Sequence, residues 1–460
     1  MTDMQMLREA RVTVIGLGIE GIDLVRFLAA EGARVTVSDR RPREELAEAL
    51  AAIEGTDARL SLGANRAEDA TDADMVFVSQ GVPNDNPAVA AALAAGVPVS
   101  TMLGLFLERC PAPVIGITGS AGKTTTTALV ASMLQGEGLP HVMGGNIGIG
   151  LLSLLPEIEA DTRVVVEMSH TQLERVAVSP HVACVTNVTP NHLDRFAWED
   201  YVALKRRIID FQASDDVAVL NQDNEVTRGF AEMAPGRVAR TSMRDQIAGD
   251  GAMLRDGRVW RVLDGETVEV VGRPEVALRG DHNIENLLAA VAVGAQVGVS
   301  VHSAAQTART FTGVPHRLEP IATVAGVLYV NDSIATAPER TLAGLRSFEE
   351  PVVLLLGGRD KQLPVRDLAR EAASRCRAVV CFGESGDLYA QAVREAAGGR
   401  DLPIARVGTV EEAVSAAARL AREGDVVLFA PAATSFDQYR NFEERGRAFR
   451  GAVTAMGGRP

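Results

Sequence analysis

The chain has 460 residues, 47% of them apolar and 23% charged, which is the make-up of a globular protein too long for one ordinary core, so two or three domains are expected. A formal charge of −14 speaks against nucleic acid as the main partner, and no apolar run approaches the roughly 20 residues of a membrane span, so membrane insertion is not expected. The opening MTDMQMLREA carries acids where a secretory signal needs a basic end, and Cys110, Cys184, Cys376 and Cys381 form no CxxC pair; a reducing, cytoplasmic location with free thiols is expected.

Residues 1–102 read as a first nucleotide-sized module. RVTVIGLGIEG is a strand and glycine turn, IDLVRFLAAEG a helix closed by Gly32, and ARVTVSD a strand ending in Asp39. Gly16, Gly18 and Gly21 with an acid about 20 residues on form the beginning of a dinucleotide fold. NAD binding, a different nucleotide and a purely structural unit all satisfy that pattern. A third strand, ADMVFVSQG, ends in small and polar residues from Ser79 to Gly81, beside the expected ligand crevice.

Residues 103–313 centre on VIGITGSAGKTTTT, an apolar strand breaking into a glycine-rich turn that ends in Gly122, Lys123 and Thr124. Backbone N–H groups of such a turn close on phosphate oxygens, Lys123 supplies a point charge, and the Thr124 or Thr125 hydroxyl suits Mg²⁺. The strict pattern places a glycine where this chain has Ile117; Gly119 lies inside the loop instead. VVVEMS, VACVTNV and AVLNQD then predict a mostly parallel sheet whose carboxyl ends carry Glu167, Asn187 with His192, and Asn221. Gly144 to Gly148 makes a second glycine turn holding Asn146. Glu167 and His192 have the chemistry of Mg²⁺ ligands, although a histidine there equally suits capping or packing, and Lys205 taken alone is a solvated helix lysine. Turns at Asp256-Gly257 and Asp264-Gly265 predict appended antiparallel hairpins. On the following helix Asn283 suits a cap, whereas Asn286, one turn inside, suits a nucleotide base.

Residues 314–460 predict another doubly wound α/β sheet, with VLYVND, PVVLLLGG, AVVCFGE and DVVLFAPA as strands. Thr336, Lys361 and Ser435 at the strand ends suit a small carboxylated ligand, or are ordinary loop residues.

Taken in order, GITGSAGKTTTT, GGNIG, VVVEMSHTQLE, TNVTPNHLDRF with YVALKRRI, GDHNIENLLAA, GVPHRLE, YVNDSIAT, LLLGGRDK and PAATSFDQYRNFEERG resemble the Mur ligase family, the ATP-dependent amino-acid ligases of peptidoglycan synthesis. The resemblance covers nearly the whole chain and is strongest to the members that add D-glutamate to UDP-N-acetylmuramoyl-L-alanine through an acyl phosphate. It implies three α/β domains: a Rossmann-like UDP-substrate domain, a P-loop ATPase-like centre and an amino-acid domain. It implies that Gly119, Ser120, Gly122, Lys123, Thr124, Thr125, Asn286, Arg317 and Asp332 serve ATP. Thr124, Glu167, His192 and a carbamylated Lys205 would serve two Mg²⁺ sites, with Lys123, Glu167, His192 and Lys205 as the catalytic set. Gly18, Ile19, Asp39 and Gly81 would hold the uridine end of the acceptor, and Asn146, Ser169 and Gln172 its muramoyl part. Thr336, Lys361, Ser435 and Phe442 would hold glutamate. A monomer is expected.

Three departures from the family pattern touch the substrates. SSFQLE reads SHTQLE, bringing in His170 and Thr171; Ile334 stands where a lysine is common; and the GGRDK loop carries Arg359, a replacement cation or an ordinary surface arginine. L-glutamate or another amino acid as second substrate therefore stays open. An NAD-dependent oxidoreductase and a nucleotide-binding regulator without catalysis are the readings from other classes.

Overall fold

The computed structural model describes residues 7–83, 85–145, 150–190, 196–244, 246–361 and 363–457. Runs that are apolar at nearly every position suit strands covered on both faces, and here they form the middles of parallel sheets. The first sheet contains β1 (Arg11–Ile15), β2 (Arg34–Asp39), β3 (Arg59–Leu62), β4 (Met75–Val78) and β5 (Val99–Ser100), in the order β3-β2-β1-β4-β5 with every pairing parallel. That is the Rossmann-like order expected. β3 and β5 go beyond the three strands read from the sequence: RLSL has no apolar run, and β5 is two residues long. Helix α1 (Ile19–Ala30) follows the glycine turn.

The second sheet has nine strands. β6 (Val114–Thr118), β7 (His141–Gly145), β8 (Arg163–Glu167), β9 (Val182–Val185), β10 (Val217–Asn221), β11 (Arg237–Ser242), β12 (Gly251–Arg255), β13 (Arg258–Leu263) and β14 (Glu266–Gly272) lie in the order β14-β13-β12-β11-β10-β9-β6-β8-β7. β12, β13 and β14 are an antiparallel meander added to an otherwise parallel sheet, as the two turns predict. Asp256, Gly257, Asp264 and Gly265 all have positive φ, between 51° and 80°, the hairpin geometry that Asp-Gly favours. Gly144 and Gly145, read as part of a turn, close β7 instead.

These two sheets share one apolar core, which runs from Leu24 and Leu28 on α1 through Phe106, Leu151 and Leu152 to Val166, Ile208 and Phe230. The Asp23 carboxylate accepts the Leu152 and Ser153 N–H groups at 2.8 and 3.0 Å, joining α1 to the segment after β7. The chain up to Ala277 together with Asp281–Phe311 therefore forms one compact unit.

The second unit takes Leu278–Gly280 and the chain from Thr312 onward. Its sheet contains β15 (Glu319–Val324), β16 (Val327–Asn331), β17 (Val352–Gly357), β18 (Cys376–Phe382), β19 (Ile404–Arg406) and β20 (Val426–Ala432), ordered β15-β16-β20-β17-β18-β19. Only β15 runs antiparallel among them. Alternate residues of β17 feed two cores, Leu354 and Leu356 on one face and Val353 and Leu355 on the other, as a doubly wound sheet requires. Among the described residues no helix is long and apolar enough to cross a membrane. All four cysteines are free, and burial pushes the Cys184 thiol up to about 12, far from a reactive thiolate.

Candidate functional site

β6 is buried along its whole length and delivers its carboxyl end to the glycine turn, after which α2 (Lys123–Glu137) begins. Thr126 N–H donates to Gly122 O, so the amides ahead of it have no partner inside the helix and face the turn. The loop is pinned from β9. Ser120 N–H donates to Asn187 O at 2.9 Å, Ala121 N–H to Asn187 Oδ1 at 3.0 Å, and the Thr186 hydroxyl to Ala121 O at 2.6 Å. Neither glycine admits a side chain: a Cβ on Gly119 would lie 2.0 Å from Thr186 Oγ1, and one on Gly122 would lie 2.1 Å from Asn286 Oδ1. The space that remains is a backbone-lined cradle. Lys123 Nζ folds back to donate to Gly119 O at 3.0 Å.

Glu167 ends β8, in register with Ile117 of β6, and is 2% exposed. Helix α3 (His170–Leu173) follows, and α4 (Trp198–Asp210) carries Lys205. Lys205 is not a solvated lysine. It is 1% exposed, and its Nζ donates to Thr118 Oγ1 at 3.0 Å, at the very end of β6. Burial first, and then the Lys123 charge, hold its pKa well below that of an ordinary lysine, with Glu167 opposing. A carbamate there would carry the negative charge that Lys123 and a divalent cation favour. Glu167 and Thr124, which is the second residue of α2, are hard oxygen donors of the kind Mg²⁺ takes. Among the described residues no group of three or more His, Cys, Asp or Glu could hold a metal ion. His192 and Asn146 lie outside the described residues.

Helix α5 (Asp281–Gln296) starts at Asp281, so Asn283 is its third residue rather than its cap. Asn283 Oδ1 accepts the Asn286 amide at 3.2 Å, and Asn286, 6% exposed, abuts Gly122. The structure thus places Asn286 at the phosphate turn.

Toward the first sheet, Ser169 caps α3 in a capping box with Gln172: Ser169 Oγ accepts the Gln172 N–H, and Gln172 Oε1 accepts the Ser169 N–H. His170 is an aromatic neighbour of Phe196 and Tyr201, with ring centroids 5.4 and 5.5 Å apart. Gly18 precedes α1, Ile19 is an exposed apolar residue at its start, and Gly81 has φ of +92°. Asp39 accepts Leu17 N–H on one oxygen and Arg41 N–H on the other, and the Arg41 guanidinium reaches both. Burial raises its pKa, but the Arg41 and Leu17 bonds outweigh that and leave it below the ordinary range. Four hydrogen bonds, one from Leu17 and three from Arg41, hold this carboxylate at the end of β2. Arg41 is the neighbour that reading the sequence missed.

In the second unit, Lys361 Nζ donates to Thr336 Oγ1 at 3.1 Å, so these two expected partners meet. Asp332 is 5% exposed and accepts Leu318 N–H; burial pushes its carboxyl up to about 7, against the lowering charges of Arg317 and Arg340. Ser435 is buried, and its carbonyl accepts the Tyr439 N–H at 2.8 Å. Phe442 opens α6 (Phe442–Ala455) and meets His316 edge-on. Arg359, the candidate replacement for the cation absent at Ile334, pairs with Glu384 at 3.0 Å on the surface. The charge that acts on both Asp332 and Lys361 is Arg340.

A further arginine, Arg445, is wholly buried on α6. It donates to Ser333 Oγ and Ser333 O, to Ala433 O and Thr434 O at 3.0 Å each, and to Gly357 O at 3.4 Å. It ties together the carboxyl ends of β16, β17 and β20. The signal for it is visible in the sequence: Arg445 shares the apolar stripe of Phe449 and Val453.

Three domain families match the chain in order: Mur ligase MurD-like, N-terminal domain, over residues 10–101; Mur ligase middle domain over 117–294; and Mur ligase, glutamate ligase domain, over 316–433. The chain is 41% identical over 451 residues to the UDP-N-acetylmuramoylalanine--D-glutamate ligase of Symbiobacterium thermophilum, covering 97% of this chain and 98% of that one. It is 40% identical over 457 residues to the ligase of the same name from Acetivibrio thermocellus, covering 98% and 97%. Among solved structures, UDP-N-acetylmuramate-alanine ligase MurC from Thermotoga maritima superposes with a TM-score of 0.57 at 18% identity, over 97% of this chain and 99% of that one. MurF from Acinetobacter baumannii gives 0.58 at 18%, over 89% and 88%. At that identity the two structures share the fold.

Proposed function

This chain belongs to the Mur ligase family, and from that premise we propose that it joins D-glutamate to UDP-N-acetylmuramoyl-L-alanine with cleavage of ATP to ADP and phosphate. The observation that carries this reading is the meeting of Lys123, Glu167 and a buried Lys205 around the end of β6, beside a glycine turn that admits no side chain at Gly119 or Gly122.

The Gly119 to Thr125 turn and Lys123 hold the β- and γ-phosphates, with Ser120, Gly122 and Asn286 completing this side, and Arg317 and Asp332 are read as further nucleotide contacts. Thr124, Glu167, His192 and carbamylated Lys205 would hold Mg²⁺ in two sites, and the metal would supply neutralisation of phosphate charge. The acceptor lies on Gly18, Ile19, Asp39 and Gly81 at its uridine end and on Asn146, Ser169 and Gln172 at its muramoyl part. Its alanyl carboxylate attacks the γ-phosphorus, the bond to ADP breaks, and an acyl phosphate forms while Lys123 and the turn amides stabilise the spread charge. Thr336, Lys361, Ser435 and Phe442 hold glutamate, whose neutral amine attacks the acyl carbon; phosphate leaves and the nitrogen loses its proton.

On the same reading the domains are 1–102, 103–313 and 314–460, and the protein is a cytoplasmic monomer supplying a peptidoglycan precursor. The test is ATP-dependent phosphate release with UDP-N-acetylmuramoyl-L-alanine and D-glutamate, L-glutamate or no amino acid, with the product identified by mass. Turnover that needs D-glutamate is expected; turnover with L-glutamate alone overturns the amino-acid assignment.

A further inference from the structure

Glu20 is the second residue of α1 and sits where three segments meet. One carboxylate oxygen accepts the Gln172 side-chain amide at 2.6 Å, and the other accepts the Gln80 backbone N–H at 2.9 Å. Gln80 in turn extends its own amide to Ser169 Oγ at 2.9 Å and Thr171 Oγ1 at 3.1 Å. The ring closes through the capping box of Ser169 and Gln172. It links α1, the loop after β4 and the corner after β8.

We propose that Glu20 is a positioning residue for the acceptor site, setting the hydrogen-bond direction of Gln172 and Ser169 so that the serine hydroxyl is offered as a donor. This rests on reading Ser169 and Gln172 as acceptor contacts. A glutamine amide has nearly equal ends, and partners of fixed role decide between them: the Ser169 N–H can only donate to Oε1, and a carboxylate can only accept from Nε2. An ionised Glu20 is such a partner. It draws Gln172 Nε2 toward itself and leaves Oε1 for the Ser169 N–H. Ser169 Oγ then receives two donors, the Gln172 N–H at 3.2 Å and the Gln80 amide, so its lone pairs are taken and its proton points elsewhere, to Thr171 Oγ1 or to an incoming oxygen. The chemistry that this corner recognises is a phosphate, carboxylate or carbonyl oxygen of the acceptor. Thr171, a departure from the family string, belongs to the same ring.

The test compares wild type, Glu20→Gln, Glu20→Ala and Gln80→Ala by calorimetric titration with UDP-N-acetylmuramoyl-L-alanine, alongside the KM for ATP. Glu20→Gln keeps shape and packing but points an NH2 at one of the two donors. It should weaken acceptor binding about tenfold, Glu20→Ala at least as much, and Gln80→Ala less, with the ATP KM within about twofold throughout. Acceptor binding by Glu20→Gln equal to that of wild type, or equal losses for acceptor and ATP, overturns the inference and leaves the proposed function standing. Absence of acceptor binding by wild type overturns that function and the inference with it. Gln80 is exposed, so its variant keeps the question open to measurement if the Glu20 variants fold poorly.

Discussion

Asn286 stands where a side chain on Gly122 would have to go. A Cβ there would lie 2.1 Å from Asn286 Oδ1, and the backbone of Gly122, with φ of +84°, is one that only glycine adopts without strain. Gly122→Ala should therefore displace the turn by the better part of an ångström and lower ATP-dependent phosphate release by about a hundredfold. Thermal unfolding should register a loss on the order of 1–3 kcal/mol. Full activity in this variant would mean that the turn does not grip the phosphates.

Lys205 gives a chemical prediction. Burial and the Lys123 charge lower its pKa, which favours the neutral amine over the ammonium, the form that carbamate formation needs. Isotopically labelled bicarbonate should give a carbamate resonance in the wild type and none in Lys205→Arg, and stripping carbon dioxide should lower turnover reversibly. An active Lys205→Arg enzyme with no carbamate signal in the wild type would remove this lysine from the metal site.

Asp332 predicts a pH dependence of stability. Burial raises its folded pKa from 3.8 to about 7, so between those values the folded chain keeps a proton that the unfolded chain has released. Its contribution is fully present below pH 3.8 and is lost as the pH rises through about 7. Asp332→Asn keeps an acceptor for the Leu318 N–H and removes the titration. It should raise the unfolding temperature at pH 8 clearly more than at pH 5, and an equal shift at both values would count against a buried, protonated carboxyl.

Arg445→Met should cost about 3 kcal/mol or more, because it strips donors from several buried carbonyls at once. Arg359→Ala, which breaks only a surface pair with Glu384, should leave the glutamate KM within about twofold. A large rise in that KM would return Arg359 to the amino-acid pocket.

The residues that were legible in the sequence are those whose chemistry is local. The glycine turn, Glu167 at a strand end and the Asp-Gly hairpins each announce their geometry within a few positions. Lys205 taken alone and Arg445 are hard to read because their meaning depends on what covers them. Both lie on buried helix stripes, Lys205 with Tyr201, Ile208 and Ile209, and Arg445 with Phe449 and Val453, and a cation on such a stripe is the sign that was available. Glu20 offered less. An acid in a glycine turn looks like a solvated helix start until Gln172, more than a hundred residues away, is brought to it. β3 and β5 escaped because edge strands carry little apolar pattern.

The core shared by the first two sheets bears on how such a protein can be taken apart or recombined. Phe106, Leu151 and Leu152 pack in the same cluster as Leu24 and Leu28, so a cut near residue 102 would bare apolar surface on both fragments. Excised pieces of this half would meet water with a sticky flank and tend to aggregate. Exchange of the first sheet between relatives would succeed only where the donor brings its own matching face for α1, whereas the chain from Thr312 onward has apolar cores of its own.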